Sequence, residues 1–388
     1  MKDMWGGVAW LILAAGVLAA AQFSVRPARR YRTWWVALFA TELGHVWALV
    51  AASLAWFAHG PATLILAVAA VLFARPVWCA ARMARGVEAS LAAAGWGSHK
   101  GAEPLWSWRR LWRWPLATPR AQVQTFPLES AATPLNVDFY PPAPQREKAF
   151  CNQIGYKMPG AAPCVVVVHG GGWDGGDRAE LATFNHWLAG CGVAVVAGDY
   201  RLAPAHPWPA QRDDVRAVLA WVRANAERLG LDPERITLLG RSAGAQIATA
   251  TAYGEALPGV RAVVALYGVH NLEFVWSIRS ATDSLNSDKL MKQYLGGPPE
   301  GARLEAYRAG SAELLAHAGA PPTLIIHGAL DELVWCRHSE KLAAALAQAG
   351  APHALVRLPW GTHAGEANLH GPSGQLITGA VRRVATAA

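Results

Sequence analysis

A serine in the middle of the chain has the surroundings of a catalytic nucleophile. Ser242 lies in GRSAG, which ends the strand pattern ITLLG and opens an alanine-rich helix pattern. A G-x-S-x-G pattern between a strand and a helix forms a sharp turn that exposes the serine hydroxyl. The helix that starts there also points its free N–H groups and positive dipole end at the serine. We therefore predict that Ser242 is a nucleophile.

A serine hydroxyl needs a general base, and the base needs a carboxylate that orients it. Asp331 follows the strand pattern TLIIHG, and His363 follows the next strand pattern, HALVRLP. Both residues leave the carboxyl ends of successive strands, where open α/β sheets build their sites. We predict that Asp331 is the acid and His363 the base. The alternatives, which we interpret as surface or packed residues, are Glu332, His327, His338, His353 and His370.

A glycine-rich segment, VVVVHGGGWDGG at residues 165–176, could supply hydrogen-bond donors for an oxyanion. In hydrolases with a G-x-S-x-G turn, one donor is the N–H after the serine, here Ala243, and others come from an HGGG-type loop. Here that loop is Gly170, Gly171 and Gly172, of which Gly171 and Gly172 are the main candidate donors. Glycine suits this position because an acyl oxygen must come within about 3 Å of backbone nitrogen. The preceding histidine is expected to form a hydrogen bond within the loop.

The same glycines also fit a dinucleotide-binding pattern. Gly170, Gly172 and Gly175 have the spacing G-x-G-x-x-G, and Asp199 ends the next strand pattern. The helix pattern, however, begins several residues after the glycines, so its N-terminus would not meet a pyrophosphate directly. This interpretation also gives no role to Ser242 and its partners. A dinucleotide-binding oxidoreductase is therefore the weaker alternative.

Strand patterns and helix patterns alternate from residue 123 to residue 388. Short apolar runs such as CVVVVHG and VAVVAGDY are typical of strands that are buried on both faces. Helix patterns, such as the amphipathic RDDVRAVLAWVRANAERLG, alternate with these strand patterns along the chain. This alternation predicts an α/β fold in which helices cover both faces of a mostly parallel sheet.

The N-terminal part of the chain is unusually apolar. The chain has 388 residues, of which 53% are hydrophobic and 16% are charged, against about 25% charged in typical soluble domains. Residues 5–25, 34–57 and 62–81 are each long and apolar enough for a transmembrane helix. A signal peptide is the alternative for the first stretch, but it lacks a clear cleavage site. We predict a three-helix transmembrane bundle, with Glu42 and His45 on one face of the second helix.

Two interpretations of these ionisable residues are open: a function within the membrane, or a hydrogen bond between helices. Arginines crowd the first loop and follow the third stretch, whereas the second loop has neither lysine nor arginine. The positive-inside rule then places the catalytic part in the cytoplasm, as part of an integral protein of a bacterial-type inner or plasma membrane. The net charge of +8 suits anionic lipid headgroups better than nucleic acid, for which no motif is found.

A segment rich in tryptophan and arginine, including WRRLWRW at residues 108–114, separates the two parts. Such a segment favours the membrane interface, with rings at headgroup depth and guanidinium groups on phosphates. A solvated linker is the alternative. The predicted organisation is a transmembrane region (1–81), an interfacial linker (82–122) and an α/β-hydrolase catalytic domain (123–388).

The catalytic part also carries a family resemblance, and five motifs support it in order: HGGGW (169–173), GDYRLAPAHPWPAQRDDV (198–215), GRSAG (240–244), HGALDELV (327–334) and PWGTHAGE (359–366). With these motifs it resembles the hormone-sensitive-lipase-like esterases of the α/β-hydrolase superfamily. The resemblance implies carboxylester hydrolysis by the triad and oxyanion donors named above. GRSAG departs from the commoner GDSAGG form, and GxSAGAxIA after membrane spans is more similar to membrane-bound isoprenylcysteine methylesterases.

The combined prediction is a membrane-anchored serine carboxylester hydrolase that acts on a lipophilic or membrane-associated ester. Trp173, Phe274 and Trp276 are candidate walls of the substrate pocket, with ordinary packing as the alternative. No metal or cofactor is implied, and Cys151 and Cys164 are the only cysteines for which we consider a pairing. A catalytically inactive receptor or scaffold of the same fold is the second function class, and oligomerisation through the membrane region is a separate hypothesis.

Overall fold

The computed structural model describes residues 2–97, 103–113, 121–128, 133–142 and 161–387. Cys151, and therefore its proposed pairing with Cys164, lies outside these ranges, as does part of the predicted linker. Cys164 itself is buried in a strand.

A single sheet forms the centre of the part that follows residue 121. Its strands are β1 (Gln124–Leu128), β2 (Leu135–Tyr140), β3 (Ala162–Val168), β4 (Ala194–Gly198), β5 (Leu231–Arg241), β6 (Val260–Leu266), β7 (Thr323–Gly328) and β8 (His353–Leu358). Their spatial order is β1-β2-β4-β3-β5-β6-β7-β8. The two pairings of β2 are antiparallel, and all pairings among β3 to β8 are parallel.

Helices cover both faces of this sheet. They are α5 (Ala182–Gly190), α6 (Ala210–Ala224), α7 (Ala226–Leu229), α8 (Ala243–Gly254), α9 (Leu272–Ile278), α10 (Ser287–Leu295), α11 (Ala302–Ala309), α12 (Ala312–Leu315), α13 (Arg337–Ala349) and α14 (Pro372–Ala387). The valines of β3 show the two faces: Val166 and Val168 join the core with α6, α8 and α13, whereas Val165 and Val167 join the core with α5 and α14. Side chains alternate along a strand, so one apolar run serves both cores. The predicted α/β-hydrolase fold, with a mostly parallel sheet, is confirmed.

The N-terminal part contains four helices before residue 97. They are α1 (Lys2–Ala21), α2 (Tyr31–Glu42), α3 (Gly44–Phe57) and α4 (Pro61–Ala93). Two segments among the described residues, Gly6–Ser24 and Pro61–Ala93, are long and apolar enough to cross a membrane. The pair α2 and α3 reaches that length only together and is bent by 84°.

The predicted second span, residues 34–57, is therefore wrong as a single helix. The chain breaks at Leu43 because the two halves pack on different partners. Gly44 at the start of α3 fits so closely against α4 that a Cβ there would lie 2.3 Å from the Phe73 carbonyl oxygen. The end of α2 instead lies against the α/β-hydrolase part, where the Glu42 carboxylate accepts a hydrogen bond from the backbone of Ser373.

The bend also separates the two ionisable residues that were expected on one helix face. Glu42 ends α2, whereas His45 lies in α3 and meets the ring of Trp112 edge-on, with centroids 5.2 Å apart. The two residues therefore lie in different helices, and the helix-helix hydrogen bond of Glu42 runs to Ser373 of α14.

Helix α4 joins the N-terminal helices to the α/β-hydrolase part without interruption. The predicted domain boundary at residue 81 falls inside this helix, whose 33 residues correspond to a length of about 50 Å. Beyond the boundary, Ala84, Val87 and Leu91 are buried in the same core as α5 and α14. An ion pair of 2.8 Å between Glu88 and Arg383 of α14 adds to this contact.

The described part of the predicted linker packs against α14. Leu105 lies so close to Gly379 that a Cβ there would be 2.6 Å from a Leu105 methyl carbon. Arg110 donates hydrogen bonds to the carbonyl of Leu369 and the hydroxyl of Thr378. Arg110 therefore binds protein acceptors instead of the lipid phosphate that the composition of the linker suggested. Trp108 and Trp112 of the linker are exposed.

Candidate active site

The turn that carries Ser242 has the tight geometry that its sequence pattern predicts. Ser242 lies between β5 and α8 with φ 51° and ψ −119°, a conformation that non-glycine residues rarely adopt. A Cβ at Gly240 would lie 2.3 Å from the Gly244 carbonyl oxygen, and one at Gly244 would lie 2.2 Å from the His169 carbonyl oxygen. Gly244 is thus needed because the turn packs directly on the end of β3, and Gly240 because β5 passes close to the first turn of α8.

Asp331 and His363 come together at the carboxyl ends of β7 and β8. The Nδ1 atom of His363 donates to the Asp331 carboxylate at 2.6 Å. The other carboxylate oxygen accepts the backbone N–H groups of Leu333 and Val334 at 2.9 and 3.0 Å. Burial alone would raise the pKa of Asp331, but its interactions with His363 and His327 hold it well below its usual value. The carboxylate is therefore ionised and fixes the orientation of the imidazole ring.

A further histidine supports this carboxylate: His327, which was only an alternative base in the sequence. His327 at the end of β7 is buried with its Nε2 atom 3.3 Å from the Asp331 carboxylate. The same Nε2 donates to the Val334 carbonyl at 2.9 Å, and Nδ1 accepts from the Ser339 hydroxyl at 2.7 Å. The signal in the sequence was the histidine four positions before the aspartate, at the end of the same strand.

The glycine loop after β3 offers backbone donors next to Ser242. The N–H of Gly170 already donates to the Glu180 carboxylate at 2.6 Å, so it is engaged and unavailable to a substrate oxygen. Gly171 and Gly172 have φ values of 105° and 62°, and within the described chain their N–H groups donate to no acceptor. Ala243 begins α8, where helix geometry leaves the N–H without an intrahelical partner.

The contribution of Gly170 is close approach, because a Cβ there would lie 3.3 Å from the Cβ of Ser242. Two stacked aromatic rings, those of His169 and Tyr200, support the loop; their centroids are 4.0 Å apart. His169 Nδ1 and the Tyr200 hydroxyl both donate to the Gly170 carbonyl, at 2.8 and 3.0 Å. The expected hydrogen bond of His169 within the loop is present.

A buried ion pair links the Ser242 turn to the loop that carries His363. Arg241 and Glu366 are almost completely inaccessible and lie 3.2 Å apart. The Tyr267 hydroxyl also donates to Glu366, and the Tyr267 ring lies 4.4 Å from the His363 ring. None of the sequence motifs predicted this network. Its signal was an arginine in an otherwise small and apolar turn.

The three candidate pocket residues occupy different surroundings. Trp173 is buried, donates to Gln246 at 2.9 Å and stacks on Tyr294 of α10 at 4.5 Å. Phe274 meets His338 of α13 edge-on. Trp276 lies against Tyr307 and beneath the guanidinium group of Arg279. Trp173 therefore braces α10, whose Leu290 lies over the glycine loop: a Cβ at Gly172 would be 3.2 Å from a Leu290 methyl.

These elements define an α/β-hydrolase domain with a serine turn, a buried aspartate-histidine pair and a glycine loop. The described residues contain no group of three or more His, Cys, Asp or Glu side chains placed to hold a metal ion. The family model BD-FAE matches residues 156–346.

Similar proteins agree with this class. The chain is 29% identical over 220 residues to the probable carboxylic ester hydrolase LipM of Mycobacterium tuberculosis, a match that covers 53% of this chain and 50% of LipM. It is 30% identical over 217 residues to esterase LipQ of the same organism, covering 52% and 50%. The chain thus spans about half the length of these curated relatives.

Among solved structures, esterase LipW from Mycobacterium marinum matches with a TM-score of 0.55 and 26% identity, over 82% of this chain and 90% of that chain. The resemblance to hormone-sensitive-lipase-like esterases of the α/β-hydrolase superfamily is confirmed by these matches.

Removing one member of the buried ion pair should destabilise the protein strongly. Glu366→Gln leaves the Arg241 guanidinium without its counter-charge, which typically costs about 3–5 kcal/mol in unfolding free energy. Glu340→Gln is the matched control, because it breaks an exposed pair with Arg357 that is worth about 1 kcal/mol or less. Denaturant unfolding in detergent, followed by tryptophan fluorescence, measures both. Equal losses for the two variants would contradict the buried pair's structural role.

The contribution of His338 to stability should fall as the pH drops below about 6.5. Burial, together with His327 and Lys341, lowers the pKa of His338 from 6.5 to about 3. The unfolded chain binds a proton as the pH falls through 6.5, whereas folded His338 stays neutral until about pH 3. This difference lowers the unfolding free energy by about 2 kcal/mol between pH 7 and pH 5.

The change His338→Phe keeps a ring against Phe274 and should remove that part of the pH dependence. The exposed His317, changed to Gln, is the control and should leave the slope unaltered. A slope that is the same in the His338→Phe variant and the original protein would refute the assignment.

Proposed function

We propose that this chain is a serine carboxylester hydrolase anchored in a membrane by its N-terminal helices, in which Ser242, Asp331 and His363 form the catalytic triad. The observation that carries the proposal is the Asp331–His363 hydrogen bond of 2.6 Å in the same sheet edge as the strained serine turn. The ester hydrolase names of its relatives support the reaction class.

The reaction follows from the chemistry of these groups. His363 removes the Ser242 proton as Oγ attacks the ester carbonyl carbon, and the carbonyl oxygen becomes an oxyanion. The N–H groups of Gly171, Gly172 and Ala243 donate to that oxygen. As the carbon–oxygen bond breaks, His363 gives its proton to the leaving alcohol. Water, activated by His363, then attacks the acyl-enzyme and releases the acid and free Ser242.

The packing of the N-terminal helices supports a cytoplasmic hydrolase domain. Trp10 and Ala14 of α1 pack with Ala58 and Ala62. The part of α1 around these residues therefore lies beside the loop between α3 and α4, at one end of the bundle. The arginine-rich loop between α1 and α2 and the hydrolase domain lie at the other end. With the positive-inside rule, this arrangement supports an integral inner or plasma membrane protein whose catalytic domain faces the cytoplasm.

A lipophilic ester is the proposed substrate class. One face of α2, with Val36 and Phe39, lines an apolar cavity of about 430 Å³ between the N-terminal helices. The opposite face of the same helix, with Trp34 and Leu38, packs near Ala364 and Leu333, which adjoin the triad residues. The catalytic loops are therefore one helix away from apolar surface that membrane lipids would contact. This position favours an ester that is dissolved in, or attached to, the membrane.

Ser242→Ala should abolish ester hydrolysis without unfolding the protein. We expect the hydrolysis rate of p-nitrophenyl butyrate to fall by about 10⁴- to 10⁶-fold, and covalent labelling by a fluorophosphonate to disappear. Ser277→Ala, at an exposed serine, is the control and should keep both. If the original protein hydrolyses no ester and takes no label, an inactive receptor or scaffold replaces this proposal. Turnover retained by Ser242→Ala would refute the nucleophile.

A further inference from the structure

Helix α2 lies directly on the loop that carries His363. The loop comprises residues 359–371 between β8 and α14, and its His363 carbonyl accepts a hydrogen bond from the Trp34 indole N–H at 3.2 Å. Trp34 is only 8% exposed. The cluster around it, formed with Ala28, Ala37 and Leu38, packs on Leu333, Ala364 and Ala367. One helix therefore touches the segments that follow both the acid and the base.

The residue that follows the peptide group contacted by Trp34 has an unusual backbone conformation. Ala364 follows His363 with φ 60° and ψ 40°, a left-handed conformation that persists in a residue with a Cβ only where the surroundings enforce it. The indole N–H fixes the orientation of the peptide group between His363 and Ala364. The direction of the imidazole ring depends on that backbone.

The other end of α2 holds the end of the same loop. The Glu42 carboxylate accepts from the Ser373 N–H at 3.0 Å, in the first turn of α14, and the Glu42 carbonyl accepts from the Asn368 side chain at 2.9 Å. Gly371 fits under this carboxylate, because a Cβ there would lie 2.4 Å from a Glu42 oxygen. Trp34 and Glu42 are eight residues apart, so α2 spans about 12 Å of the loop.

The opposite side of the loop is held by the hydrolase domain through Glu366, which bonds to Arg241 and Tyr267. The loop thus lies between the serine turn on one side and α2 on the other. We propose that α2 is a positioning element of the reaction, with Trp34 and Glu42 as positioning residues for His363. The N-terminal helices are then part of the active-site structure in addition to being the membrane anchor, and ester hydrolysis depends on their docking.

This inference rests on the proposed ester hydrolysis, and the test uses the full-length protein in detergent. Trp34→Phe keeps an aromatic ring but removes the N–H that binds the His363 carbonyl. A small displacement of a catalytic group can cost up to about 100-fold in rate, so we expect kcat for p-nitrophenyl butyrate to fall by roughly 10- to 100-fold. KM should stay within about twofold, because the ester contacts none of the altered atoms.

Trp35→Phe is the matched control, since Trp35 is the next residue in α2 and is 46% exposed. It should retain the original kcat. Fluorophosphonate titration of active sites gives kcat per competent site, which separates mispositioning from loss of folded enzyme. Glu42→Leu should lower kcat per site as well, and Glu42→Gln, whose amide oxygen still accepts from Ser373, should recover most of that loss.

Two results would overturn the inference: an unchanged kcat per site in Trp34→Phe, or a lower total activity that active-site titration explains entirely by fewer competent sites. Either result leaves the proposed function intact as long as the original protein hydrolyses the ester and Ser242→Ala does not. Absence of ester hydrolysis in the original protein and in all variants would instead contradict the proposed function, and with it this inference.

Discussion

The sharp turn at Ser242 is the constraint on which the rest of the site depends. The positive φ of Ser242 is accommodated because Gly240 lets β5 pass close to the start of α8 and Gly244 lets the turn pack on the end of β3. That contact brings Ser242 next to the glycine loop, whose donors must lie about 3 Å from the reacting oxygen. Asp331 and His363 then need only to follow β7 and β8, because parallel strands end at the same edge of the sheet.

Buried charges and their partners also fix the positions of the site residues. Arg241 lies beside Ser242 in a buried position, and a buried arginine requires a counter-charge. Glu366 supplies that charge from the loop of His363. The ion pair therefore also fixes the distance between the Ser242 turn and the His363 loop. Asp331 is stabilised in the same way, by two backbone N–H groups and two histidines that keep the carboxylate ionised.

The N-terminal helices are continuous with this architecture. Helix α4 enters the core beside α14, and α2 rests on the His363 loop. Breaking the second apolar stretch at Leu43 allows α2 to contact the hydrolase domain while α3 packs on α4. The arrangement explains why a glutamate lies in an otherwise apolar stretch: Glu42 accepts a hydrogen bond from a backbone N–H at the start of α14, in a place where that N–H has no partner within its helix.

Some of these features follow from the sequence by itself, because they depend on neighbours along the chain. Alternation of apolar strands and amphipathic helices predicted the α/β sheet, and the GRSAG context predicted the turn at Ser242. The order of strand ends predicted Asp331 and His363, which the structure brings together. Other features depend on partners far away in the chain and were decided only by the tertiary structure. The Gly170 N–H is engaged by Glu180, Arg241 pairs with Glu366, and Glu42 binds the hydrolase domain rather than another N-terminal helix. Local patterns specify backbone conformation and burial, whereas the partner of a buried polar group is set by which segments the fold places side by side.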